Sequence, residues 1–230
     1  MAEGRCLVIS DLHGCFYTFQ SWLDEVGLTV DDRLFILGDY VDRGEDSKGV
    51  IDQIWHLQAA GYQVHPLMGN HEELLLRGTR TGDDDPVWLR FGGRQTLASF
   101  DVGRSADIPK KYLRWLAALP SYLTHENYLF VHAGLNFKVG DPMTDAVSMR
   151  WIRDWYDQID YNWLGNRYVI HGHTPQPRSV IEDQWQQFEK NRFLDLDGGC
   201  VYDRPGMGHL CWVNLTQRTL HFKKRVQSSN

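Results

Sequence analysis

The chain has 230 residues, 42% of them hydrophobic, with 30 acidic against 24 basic side chains and a formal net charge of -6. That is enough apolar material for one sizeable core and little for two, so a single domain over 1–230 is expected. The acidic balance excludes a nucleic-acid surface, which needs a basic stripe; the one basic run, Lys223-Lys224-Arg225, reads as a solvated tail.

In chain order, Cys6 to Ile9 reads as a short buried strand, too short for a signal sequence or a membrane span, so a cytoplasmic protein without membrane contact is expected. Phe16, Phe19, Leu23 and Val26 follow at helical spacing. The unit repeats with Arg33 to Leu37 as strand and Val50, Ile51, Ile54 and Leu57 as the face of a helix that stops near Gly61. A third round takes Gln63 to Met68 as strand and Glu72 to Arg77 as helix. Such alternation implies parallel strands with crossover helices, and ligands at the strands' carboxyl ends.

From Gly78 to Leu119 the pattern changes to a polar loop and two helix-like stretches, Val87 to Phe100 and Lys110 to Leu119, so residues 79–120 are expected to form a small helical cap. Strand signals return at Tyr128–Val131, Tyr168–Ile170, Phe193–Leu196, Leu210–Leu215 and Thr219–Phe222, with less helix between them; this half is expected to be mostly a second sheet. The fold class is therefore α/β, a two-sheet β-sandwich flanked by helices. Cys6, Cys15, Cys200 and Cys211 show no metal-knuckle or redox spacing and read as reduced buried thiols.

Five polar clusters each follow a predicted strand: Ser10-Asp11-Leu12-His13-Gly14, Gly38-Asp39-Tyr40-Val41-Asp42-Arg43-Gly44, Gly69-Asn70-His71-Glu72, His132-Ala133-Gly134-Leu135 and His171-Gly172-His173-Thr174. Any one alone reads as a turn, a helix cap or a hydrogen-bonded core histidine. Five at the same end of successive strands are not what turn chemistry produces. Carboxylate, imidazole and amide oxygen together suit Mn²⁺, Fe or Zn²⁺, and the absence of Cys from the clusters argues against a closed structural zinc site. There are ligands enough for two ions bridged by a carboxylate at roughly 3.5–4 Å, a hydrolytic type of site.

This motif set resembles that of the phosphoprotein phosphatase family, whose small bacterial and phage serine/threonine members and symmetrical diadenosine tetraphosphate hydrolase relative show the same strings in the same order, Ser10 to Thr174. The resemblance implies a calcineurin-like metallophosphoesterase architecture. It implies one metal at Asp11, His13 and Asp39, and a second at Asp39, Asn70, His132 and His173. It further implies His71 as proton donor with Asp42 behind it, and Arg43 with Arg153 as phosphate clamp, Arg150 being the competing arginine. Ser10 stands where the family most often has Gly, which removes no ligand. His171 is expected to be structural, since Pro175 occupies the second position after His173. Trp22 and Trp55 fit a core role, while Trp88 and Trp115 in the cap are candidates for stacking on substrate.

The expected activity is hydrolysis of phosphoserine or phosphothreonine monoesters, with phosphotyrosine as a secondary substrate, by a hydroxide activated between two divalent ions. Mn²⁺ is the expected activator in vitro and Fe or Zn the alternatives; the partner is a phosphoprotein or phosphopeptide, with no nucleic acid. A symmetrical dinucleoside tetraphosphate hydrolase is the alternative, and a non-catalytic binding protein a remoter one, since buried carboxylates are costly to keep without a use. The phosphopeptide preference rests on the lack of a further basic cluster near the motifs, with Arg77 and Arg80 the exceptions if the cap folds back.

Overall fold

The computed structural model describes residues 4–81 and 84–227. The first half follows the sequence closely: β1 (Cys6–Ile9), α1 (Phe16–Val26), β2 (Arg33–Ile36), α2 (Ser47–Ala59), β3 (Gln63–Pro66) and α3 (Asn70–Thr81). Helix α3 begins at Asn70, earlier than apolar spacing suggests, because its first turn holds site residues rather than core residues. In the expected cap lie α4 (Pro86–Trp88), a π turn over Leu89–Gly93, α5 (Arg94–Ser99) and α6 (Lys110–Ala117). Gly92, at φ 116°, breaks the first of the two anticipated helices, a conformation that a side chain resists.

The second half holds β4 (Tyr122–His125), β5 (Tyr128–Val131), α7 (Ala146–Trp151), α8 (Tyr161–Leu164), β6 (Tyr168–His171), α9 (Arg178–Gln186), α10 (Phe188–Asn191), β7 (Phe193–Asp195), β8 (His209–Asn214) and β9 (Thr219–Lys224). One sheet has the order β3-β2-β1-β8-β9 and the other β4-β5-β6-β7. The expectation that the second half is mostly a second sheet is corrected here. The β8–β9 hairpin crosses back to pair antiparallel with β1, and four helices lie between the strands. Strand pattern alone does not say which edge a hairpin joins.

Both faces of the central strands are covered, which is why they read as continuous apolar runs. Side chains alternate across a strand, so Leu7 and Ile9 of β1 and Leu34 and Ile36 of β2 pack with Phe19, Trp22, Val50 and Ile54 of the helices. Their neighbours Cys6, Val8 and Phe35 face Phe130, Ile170 and Leu194 of the other sheet, with Phe35 and Phe130 stacked at 4.4 Å. The β4–β7 sheet closes outward on Trp155, Leu164 and Met149. No helix among the described residues is long and apolar enough to cross a membrane.

Candidate metal centre

The loops after β1, β2, β3, β5 and β6 converge at one end of the sandwich, and Asp11, His13, Asp39, Asn70, His132 and His173 are all buried there. Parallel strands β1, β2 and β3 end side by side, as do β5, β6 and β7, so the two sheets deliver their loop residues to a shared edge. Backbone geometry shows the cost of that convergence. Nine non-glycine residues among those described adopt positive φ, and five of them are His13, Asp39, Asp42, Arg43 and His173. Such conformations cost of order 1–3 kcal/mol each and persist only where the surroundings hold them.

Asp39 lies at the middle. Its Oδ2 is 3.4 Å from His13 Nε2 and 3.5 Å from His132 Nε2, with His71 Nε2 at 4.0 Å. Two groups of ligand atoms share it: His13, Asp39 and His71, and Asp39, His132 and His173, each within 4.8 Å. In the second group Asn70 Oδ1 lies 3.0 Å from His132 Nε2 and 2.9 Å from His173 Nδ1, and the two ring nitrogens are 3.2 Å apart. Asp11 sits at the rim of the same cluster, its Oδ1 accepting from Ser10 Oγ and from the His173 backbone N–H. The sequence therefore named residues that come together, with one difference. Around His13 and Asp39 the tightest third ligand atom belongs to His71, while Asp11 is turned toward Ser10 and His173.

The donor set fits divalent ions. His13 Nδ1 faces the Val41 carbonyl at 3.0 Å and His132 Nδ1 the Leu37 carbonyl at 2.8 Å, which puts the ring protons outward and leaves both Nε2 lone pairs pointing inward. Facing lone pairs on His132 and Asn70 cannot satisfy each other, and a cation resolves the conflict. At the other group the Arg43 guanidinium bridges His13 Nε2 and His71 Nε2, a positive charge resting on inward-facing nitrogens. Burial, reinforced by Arg43, keeps His13 well below its ordinary pKa, and burial beside His132 pushes His173 down to about 2; both are held neutral, the form that binds metal. Burial alone would raise Asp39, but His132, His71, His13 and His173 outweigh it and hold it ionised. At Asp11 burial prevails and the pKa is raised.

His71 has a distinct surrounding. Its Nδ1 is 2.6 Å from Asp42 Oδ2, and Asp42 also accepts from Trp88 Nε1 at 2.9 Å and Thr96 Oγ1 at 2.6 Å. Trp88 is fully buried, so the stacking role considered for it is replaced by a hydrogen bond to Asp42. Trp115 packs on Tyr40 and Trp55 and touches the core rather than the site. Gly93 makes room for the Trp88 indole, whose ring would lie 2.5 Å from a Cβ there.

A recess of about 100 Å³ opens over the cluster, lined by Asp39, Arg43, Asn70, His71, Arg153 and His173, with Phe91, Leu74 and Trp151 as its apolar wall. Arg153 donates to Thr174 Oγ1 from the rim, whereas Arg150 is bound to Glu73 and Ser121 outside this recess. His171 points away, its Nε2 3.0 Å from the Tyr156 hydroxyl and its ring against Trp155.

Three buried acids were given no role in the sequence reading. Glu72 accepts from the backbone N–H groups of Gly69, Asp39, Tyr40 and Val41, and so ties the β2 and β3 loops together. Asp195, at the end of β7, and Asp197 just after it are buried with one oxygen each unpartnered, and burial raises both. Asp195-Leu196-Asp197-Gly198-Gly199 has the same strand-end placement as the five recognised clusters, and that was the available signal.

Residues 4–201 match the family model of the calcineurin-like phosphoesterases. Among curated proteins, the bis(5'-nucleosyl)-tetraphosphatase PrpE [asymmetrical] of Geobacillus sp. (strain WCH70) is 26% identical over 231 residues, covering 85% of each chain. Its namesake in Bacillus subtilis (strain 168) is 26% identical over 232 residues, covering 85% of this chain and 86% of the relative. Among solved structures, a protein serine/threonine phosphatase from Saccharomyces cerevisiae with similarity to human phosphatase PP5 superposes with a TM-score of 0.71 at 16% identity, over 99% of this chain and 82% of the other.

Proposed function

Since the chain belongs to the calcineurin-like phosphoesterase family and is a metal-dependent hydrolase of phosphoric esters, we propose that its substrate is a dinucleoside tetraphosphate, cleaved asymmetrically. The observation that carries this reading is the recess itself: two arginines and a ligand cluster at its floor, sized for one phosphoryl group, beside exposed Phe91 and half-buried Trp151, which offer flat apolar surface to a base. The names of the PrpE relatives support the same reading, and they favour the asymmetrical over the symmetrical mode of cleavage.

In this reading Asp11, His13 and Asp39 would hold one ion, and Asp39 with Asn70, His132 and His173 would hold a second. When bound, such a pair of ions polarises the phosphoryl oxygens and lowers the pKa of coordinated water. Arg43 and Arg153 hold phosphate oxygens, a task for which a planar guanidinium is better matched than an ammonium. His71 lines the recess and supplies the proton to the departing oxygen, while Asp42, fixed by Trp88 and Thr96, holds its Nδ1 and orients the ring.

A second reading, phosphoserine or phosphothreonine hydrolysis on a protein, draws on the small recess, which needs nothing of the substrate beyond one phosphoryl group. Rates on diadenosine tetraphosphate and on a phosphoserine peptide, measured side by side with Mn²⁺, separate the two. A kcat/KM higher for the dinucleotide, with nucleoside monophosphate and triphosphate as products, is expected. A higher value for the peptide overturns the first reading.

A further inference from the structure

Beside the catalytic recess lies a second and larger cavity, about 340 Å³, bounded by α3, the end of α6 and the start of β4. Three guanidinium groups line it, from Arg77, Arg80 and Arg150, against one carboxylate, Glu73. Arg77 and Arg80, the exceptions to the lack of a basic cluster near the motifs, are thus joined by Arg150 of α7, from a distant part of the chain. Residues of α3 at 70, 71 and 74 face the first cavity, and those at 73, 76, 77 and 80 face the second, as a period of 3.6 requires.

The two cavities share a wall. Trp151 lines the catalytic recess, and its indole N–H donates at 2.8 Å to Glu73 Oε2, which lines the second cavity. Glu73 also receives Arg150 Nε at 2.8 Å, and Arg150 reaches Ser121 Oγ with Nη1, so this guanidinium is fixed in place with further N–H groups to offer. Burial acts to raise the Glu73 carboxyl, but the bonds from Arg150 and Trp151 outweigh it, so the wall stays ionised and in register. Arg77 is only 3.6 Å from Glu73 Oε1 and more than half exposed, and Arg80 has no hydrogen bond or ion pair among the described residues. One carboxylate therefore leaves about two positive charges uncompensated around a space large enough for an anion.

The geometry points to this cavity as a second anion subsite, which takes a phosphate group of the substrate's polyphosphate chain while another phosphate sits between Arg43 and Arg153. Its occupant, though not its existence as an anion site, rests on the dinucleotide reading above. Cations behind the Trp151–Glu73 wall of the recess would bind a chain of phosphates and ignore a simple aryl monoester.

The test is the double variant Arg77→Gln/Arg80→Gln, which spares Arg150 because its loss would strand Glu73 in the wall. With Mn²⁺ supplied, KM for diadenosine tetraphosphate should rise roughly tenfold or more, as expected for lost charge-assisted hydrogen bonds. The kcat/KM for p-nitrophenyl phosphate should stay within about twofold of the parent. Equal change on both substrates, or none on either, overturns the proposal. Should the parent enzyme hydrolyse the aryl ester but not the dinucleotide, the substrate reading fails by itself, and inhibition by tripolyphosphate at fixed free Mn²⁺ decides the subsite. Weaker inhibition of the double variant then supports an anion site, and an unchanged inhibition constant removes it.

Discussion

His71→Asn tests the proton-donor assignment most directly. The imidazole lines the recess, and its Nδ1 is held at 2.6 Å by Asp42. A positioned general acid contributes about 10²–10⁴ in rate, roughly 2.7–5.4 kcal/mol at 1.36 kcal/mol per tenfold, and its value grows as the leaving group becomes more basic. The structural cost is smaller. Asp42 loses one of three donors and keeps Trp88 Nε1 and Thr96 Oγ1, so about 1.5–3 kcal/mol of stability is at stake, and the residue 71 backbone N–H to Asp39 Oδ1 is untouched. The assay is a leaving-group series from p-nitrophenyl phosphate through phenyl phosphate to phosphoserine, with metal content and thermal midpoint recorded for each preparation. The variant should lose about 10²-fold or more on phosphoserine and far less on the nitrophenyl ester, so that its rate depends more steeply on leaving-group basicity. Uniform loss along the series, with two metals still bound, would refute proton donation by His71 and leave it a positional or ligand role, which its nearness to Asp39 also permits.

Asp39→Asn should bind less than one metal per chain by elemental analysis, because one carboxylate stands between both ligand groups. Trp88→Phe keeps the buried ring but withdraws one N–H from Asp42; it should lower the melting temperature by several degrees, at about 2–4 °C per kcal/mol for a chain of this length, with a rate loss smaller than that of His71→Asn. Gly92→Ala puts a Cβ 2.4 Å from the Arg43 backbone nitrogen at a φ of 116°, so it should cost about 1–3 kcal/mol and raise KM by displacing the phosphate clamp; unchanged kinetics would argue against Arg43 as clamp. Asp32, buried against Arg5, is held well below the usual carboxylate range because the Arg5 contacts outweigh the effect of burial. A depressed folded pKa gives stability that is present above the unfolded value near 3.8 and lost as pH falls below it. Asp32→Asn should therefore lower the denaturation midpoint at pH 7 and narrow its gap to the parent below about pH 3.5; a gap constant from pH 7 to pH 2 would contradict this linkage.

Local pattern in the sequence was enough for the α/β class and for β1 to α3, because continuous apolar strands and 3.6-period helices are short-range signals. It also singled out Asp11, His13, Asp39, Asn70, His132 and His173 as candidate ligands, since each follows a strand, and the fold buries all six at one end of the sandwich. What lay out of reach depended on distant segments meeting. The return of β8 to β1 is a choice of edge that no strand's own pattern encodes. Trp88 looked like a surface for substrate because an indole in a cap has no visible partner in sequence; only folding brings its N–H to Asp42, 46 residues earlier. Arg153 was preferred over Arg150 on a motif match alone, and the tertiary structure brings Arg153 to the recess and Arg150, three positions earlier in α7, to Glu73. The cationic cavity exists for the same reason: charge on a helix is legible one residue at a time, but the sign of the field in a cavity is the sum over side chains from elements that only tertiary packing sets face to face.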